Sequence, residues 1–65
     1  MKKYYNFDTM FITLRDAIRE FLKANNIYYE LSKNYDYYHF EILLNSDEFI
    51  LVNNFLDTQI ITEVE

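Results

Sequence analysis

Cysteine, glycine, proline and tryptophan are all absent from this chain. Without cysteine there is neither a disulfide nor a thiolate metal site. Without glycine there is no phosphate-cradling loop of the P-loop or dinucleotide-binding kind. With glycine and proline both missing, turns and helix ends fall to asparagine, which occurs seven times. The two serines, Ser32 and Ser46, stand in no activated context such as G-x-S-x-G, so nucleophilic catalysis has almost nothing to use and no enzyme is expected. The longest uninterrupted apolar run, residues 49–52, is far short of the roughly 20 residues of a membrane span. Met1-Lys2-Lys3 leads into Tyr-Tyr-Asn and not into an apolar signal-peptide stretch, and a soluble, cytoplasmic protein is the expectation.

What remains is aromatic. Six Phe and seven Tyr stand in 65 residues. A chain of this length is one domain, residues 1–65, and buries only about 60% of the surface its unfolded form exposes. Large rings, or self-association, must then supply the missing stability.

Residues 27–44, IYYELSKNYDYYHFEILL, are two alternating runs around Asn34-Tyr35-Asp36 and read as a β-hairpin. Ile27, Tyr29 and Leu31 share a face with Tyr38, Phe40, Ile42 and Leu44, the expected core side. Tyr28, Glu30, Ser32, Tyr37, His39, Glu41 and Leu43 fall on the other. Any left-handed turn position is expected at Asn34 or Asp36. Before the hairpin, residues 2–7 read as a short first strand. Asp8 or Thr9 then caps a helix whose apolar stripe is Met10, Phe11, Leu14, Ala17, Ile18, Phe21 and Leu22. Asn25-Asn26 stops it, with Asn standing in for Gly. Ile12 lies off the stripe.

After the hairpin, Asn45-Ser46-Asp47-Glu48 is either a turn into a third strand or a helix start, with Ser46 as the cap and two acids near the positive end of the dipole. The helix is favoured because Phe49, Val52 and Leu56 then form a stripe with Phe55 at its margin. Asn53-Asn54 is a further turn candidate, and residues 59–64 read as a final strand. The fold class is therefore α+β: a small two-layer domain with one or two helices on an antiparallel sheet. A miniature ferredoxin-like βαββαβ order is favoured over a helix on a β-meander.

The net charge of −5 conceals a division along the chain. Residues 1–33 hold all six bases against four acids, net +2, whereas residues 34–65 hold seven acids and no base, net −7. Those seven are Asp36, Glu41, Asp47, Glu48, Asp57, Glu63 and Glu65. Carboxylates without internal cations gain most from an external Lys or Arg surface, and the commonest owners of such surfaces handle nucleic acid. Tyr28, Tyr35 and Tyr37, on the outer face or turn of the hairpin, are suited to protein contact.

The functional expectation is a non-enzymatic inhibitor or regulator of a basic protein partner, with those ten residues as its partner-binding set. Its composition is similar to that of many small phage or mobile-element inhibitors, including anti-CRISPR and DNA-mimic proteins, without a shared motif. A homodimeric structural or accessory module with a merely solvated acidic face is the alternative. Direct nucleic-acid binding is not expected: the basic, Gly-containing RNP1 pattern is missing from YYHFEILL, and the acidic half opposes phosphate. His39-x-Glu41, with Glu30 across from it, is weighed as a metal or acid–base pair and set aside for want of a second nitrogen or sulfur ligand. No cofactor is expected.

Overall fold

The computed structural model describes residues 1–56 and 62–63 of the chain. Its elements are β1 (Lys3–Thr9), α1 (Ile12–Ala24), β2 (Tyr29–Asn34), β3 (Tyr37–Leu44), α2 (Ser46–Leu56) and β4 (Thr62–Glu63). The sheet order is β2-β3-β1-β4 with every neighbouring pair antiparallel. This is the expected βαββαβ arrangement, each helix bridging strands that are not neighbours.

Both helices cover one side of the sheet. Phe7, Phe40, Ile42 and Leu44 meet Ile18 and Leu22 of α1 and Val52 and Leu56 of α2 in a single buried cluster. The two helices touch through stacked Phe21 and Phe55 rings, 4.1 Å between centroids. The core side read from alternation is the observed one: Ile27, Phe40, Ile42 and Leu44 are buried, and Tyr29, Leu31 and Tyr38 are half-buried. Among the described residues the other side of the sheet carries no helix.

The helix boundaries show how side chains end elements without glycine. At the end of α1, Asn26 takes φ 56°, the Ile27 N–H donates to Leu22 O (2.9 Å) and the Asn26 N–H to Lys23 O (3.2 Å). That is a Schellman motif, with Ile27 and Leu22 both delivered to the core. At the start of α2, the Glu48 N–H donates to Asn45 Oδ1 (2.8 Å) and the Asn45 N–H to Glu48 Oε1 (3.0 Å). The cap is thus Asn45, one residue before the expected Ser46, because only Asn45 has an acid three residues on to return the bond.

Several expectations are corrected. β1 runs on to Thr9, since pairing with β3 extends from Lys3↔Leu44 to Thr9↔Tyr38. Thr9 is buried, and its Oγ1 accepts the Phe11 N–H at 3.1 Å, so neither it nor Asp8 caps α1. That position falls to Phe11, which has no capping side chain and is 63% exposed. Met10, Phe11 and Ala17 leave the apolar stripe for the surface, and the buried face begins at Leu14. Asn53 and Asn54 make no turn but lie inside α2, where burial of Val52 and Leu56 on either side outweighs the weak helix propensity of Asn. Of the expected final strand, Thr62 and Glu63 pair with Asn6 and Tyr5, while residues 59–61 and 64 lie outside the described residues.

The hairpin turn departs furthest from expectation. The register Asn34↔Tyr37 leaves Tyr35-Asp36 as a two-residue loop, and the left-handed residue is Tyr35 (φ 57°), not Asn34 or Asp36. A one-residue slip would relieve it but would turn Phe40 and Ile42 to solvent. Left-handed backbone costs a side chain with a Cβ roughly 1–2 kcal/mol. Because Tyr35 is 91% exposed, it has almost no packing to lose. Tyr35→Gly is therefore expected to stabilise the fold by about 1 kcal/mol, read as a higher urea midpoint at unchanged slope.

Candidate functional site

Pairing three strands in register lays out the uncovered face in rows. Asp8 of β1, His39 of β3 and Ser32 of β2 form one row, and Asn6, Glu41 and Glu30 the next. Tyr4 stands opposite Leu43, whose N–H donates to Tyr28 O at 3.0 Å, and Tyr37 opens β3 at the turn end. Tyr4, Tyr28 and Tyr37 are all exposed. The polar middle of the face is thus bordered by aromatic rings.

At its centre His39 is fixed from both sides. Its Nδ1–H donates to Asp8 Oδ1 at 2.5 Å, and Nε2 lies 3.7 Å from Glu41 Oε1. Glu30 stands directly across from Glu41, and beside them opens a shallow depression of about 220 Å³ lined by Glu30, Leu31, Ser32, His39 and Glu41. Asn6 Oδ1 is buried without a hydrogen-bond partner among the described residues. Facing outward, then, are three carboxylates, with one imidazole among them. A group with many donors and a positive charge is the complement of such a face, and the guanidinium of arginine, with five N–H donors, is the fullest example.

No Lys or Arg of the described residues lies on this face. Arg15 and Arg19 approach Asp16 on α1, at 2.8 and 3.9 Å. Arg15 and Lys33 also lie over the Tyr38 ring, 4.6 and 5.6 Å from its centroid, on the helix side. Lys2 lies 3.6 Å from Glu48 Oε1, and Lys3 is registered opposite the buried Leu44. Within the described residues the cations thus lie with the helices, where Asp16, Glu20, Asp47 and Glu48 accompany them, while Asp8, Glu30 and Glu41 stand on the open face without a cation.

The expected partner-binding residues distribute accordingly. Glu41, Tyr28 and Tyr37 lie on the open face, and Tyr35 and Asp36 form the hairpin tip at its edge. Asp47 and Glu48 stand at the far end of β3, which separates them from Asp36 by about 25 Å at 3.3 Å per residue. Glu48 is committed to Asn45 and Lys2, and Asp47 to the positive end of the α2 dipole. Glu63 is described only as the strand position opposite Tyr5, and Asp57 and Glu65 lie outside the described residues.

Asp8, Glu30 and Tyr4 are not among the partner-binding residues expected from the sequence, which offers Asp8 as a helix cap and Glu30 only as a neighbour of His39 and Glu41. The signal that finds them is strand parity combined with the order in which β1, β3 and β2 lie side by side. Among the described residues no group of three His, Asp or Glu converges as metal ligands. The row Asp8–His39–Ser32 has the residue types of a hydrolytic triad. The main chain at Ser32 and His39 is occupied by sheet pairing, however, so it supplies no pair of N–H donors for an oxyanion. No protein-family model, curated protein or solved structure matches the chain.

Proposed function

We propose that this chain is a small non-enzymatic binding protein of the cytoplasm that inhibits or regulates a basic, nucleic-acid-handling protein by covering its cationic surface, as phage or mobile-element inhibitors of the DNA-mimic kind do. One observation carries the reading. Glu30 and Glu41 face each other across β2 and β3, with Asp8 in the next row and no described Lys or Arg on the same face. Like charges directly opposite weaken a sheet, so the arrangement costs the isolated fold something that an external cation would return. The flanking tyrosines supply contact area at low entropic cost.

The test is capture from a lysate of the source cells by the immobilised chain and by an Asp8→Asn/Glu30→Gln/Glu41→Gln variant. A basic protein is expected to be retained at about 50 mM salt, weakened markedly by about 200 mM, and displaced by added duplex DNA. The neutralised variant is expected to retain about a tenth as much or less. Equal recovery of every partner by both versions would remove the proposal.

A further inference from the structure

β2 forms one edge of the sheet and presents six residues in unbroken register, without a bulge and without proline. Long regular edges of this kind are templates for another strand. We propose that β2 pairs with the β2 of a second copy, antiparallel about a twofold axis at Leu31, so that two four-stranded sheets become one.

The register follows from the main chain. The Leu43 N–H donates to Tyr28 O, so Tyr28 and, by alternation, Glu30, Ser32 and Asn34 direct their polar backbone groups at β3. Tyr29, Leu31 and Lys33 therefore point theirs outward from the edge. Centring the twofold on Leu31 joins Leu31 to the second copy's Leu31, and Tyr29 and Lys33 to the second copy's Lys33 and Tyr29. That makes about six main-chain hydrogen bonds, two for each of three such pairs. Moving the centre to Glu30 or to Ser32 leaves two such pairs within β2, and about four bonds.

Side chains select the same register. Centring on Glu30 sets that carboxylate against its own copy. Centring on Leu31 sets it beside a serine hydroxyl, and places Lys33 against the tyrosine ring at position 29. The half-buried Leu31 side chain, which packs on the core at the sheet margin, covers its counterpart. The contact is self-complementary, as a twofold interface must be. Because the axis stands perpendicular to the sheet, both open faces fall on the same side and their carboxylates form one broader surface. The pairing does not depend on the proposed function, since it uses the edge and not the face.

Cysteine scanning tests the register directly, the natural chain having none. Leu31→Cys is expected to cross-link to itself under mild oxidation, because hydrogen-bonded antiparallel pairs place Cα atoms about 5.5 Å apart, within disulfide range. Glu30→Cys and Ser32→Cys are each expected to remain uncross-linked alone and to cross-link when mixed. Sedimentation is expected to give twice the chain mass for the natural protein and the monomer mass for Lys33→Pro, which removes an outward N–H and leaves the β3 ladder whole. Far-ultraviolet circular dichroism of Lys33→Pro checks that it folds, and if it does not, the cysteine cross-linking pattern decides in its place. A monomer at every concentration, a dimer indifferent to Lys33→Pro, self-cross-linking at position 30 or 32, or capture of a foreign strand at β2 in place of a second copy would each overturn the proposal. The Asp8/Glu30/Glu41-neutralised variant is expected to remain dimeric, so failure of the edge and failure of the acidic face are separately visible.

Discussion

Phe40→Ala is expected to destabilise the protein by about 3–5 kcal/mol, the cost of deleting a buried ring whose surroundings collapse only partly. Phe40 is 0% exposed and lies on the central strand pair, with the rings of Phe7 and Tyr29 at 6.3 and 6.0 Å. At roughly 0.05–0.15 kcal/mol per residue, a domain of this length holds only about 3–10 kcal/mol in all. The variant is therefore expected to be largely unfolded in buffer at 25 °C, seen as loss of amide dispersion and of a cooperative urea transition. Leu43→Ala, on the same strand but the uncovered face, is expected to cost a fraction as much. Comparable losses at both positions would mean that the open face is covered by something that stabilises it.

At Glu30 stability and binding are expected to move in opposite directions. Glu41 has His39 Nε2 at 3.7 Å, but among the described residues Glu30 faces the opposing carboxylate of Glu41 across the strand pair. Glu30→Gln removes a like-charge opposition and keeps the side chain's shape, so it is expected to raise stability by about 0.5 kcal/mol. The same change is expected to weaken the captured basic partner about tenfold, because a cation docked between the two carboxylates loses one of them. Urea midpoints and partner titrations at two salt concentrations measure both. If Glu30→Gln lowers stability, the carboxylate serves the fold and not a partner. If binding is unchanged, the depression beside it is not where the partner docks.

A stabilising Tyr35→Gly would add to this picture. A tyrosine in left-handed backbone, almost fully exposed beside the open face, is an outlier that folding alone does not favour, and such outliers gather where surfaces are used.

The local signals in the chain translated well because they need only neighbouring residues. Alternation over residues 27–44 identified the hairpin and its core side, and the spacing of Leu14, Ile18, Phe21 and Leu22 identified α1. The Asn25-Asn26 stop is real because Asn tolerates the left-handed φ that glycine would otherwise supply. The reading of residues 46–56 as helix was right for the stripe it named, and it missed the cap by one residue because Asn45 and Ser46 are both good caps. Only the reciprocal bond from Glu48 distinguishes them.

By itself, the sequence determined the α+β class, the two hairpin strands, the first helix and the absence of thiolate and glycine-loop chemistry, and it favoured without fixing the second helix. All of these follow from composition or from periods of 2 and 3.6 residues within one segment. The tertiary structure alone decided that Asp8 reaches His39 across 31 positions of chain, that Asp8 of the first strand joins the face carrying Glu30 and Glu41, and that the left-handed turn residue is a tyrosine. Each of these depends on which strands lie side by side and in what register. Register is set by burying Phe40, Ile42 and Leu44 against two helices at once, and no local pattern encodes that.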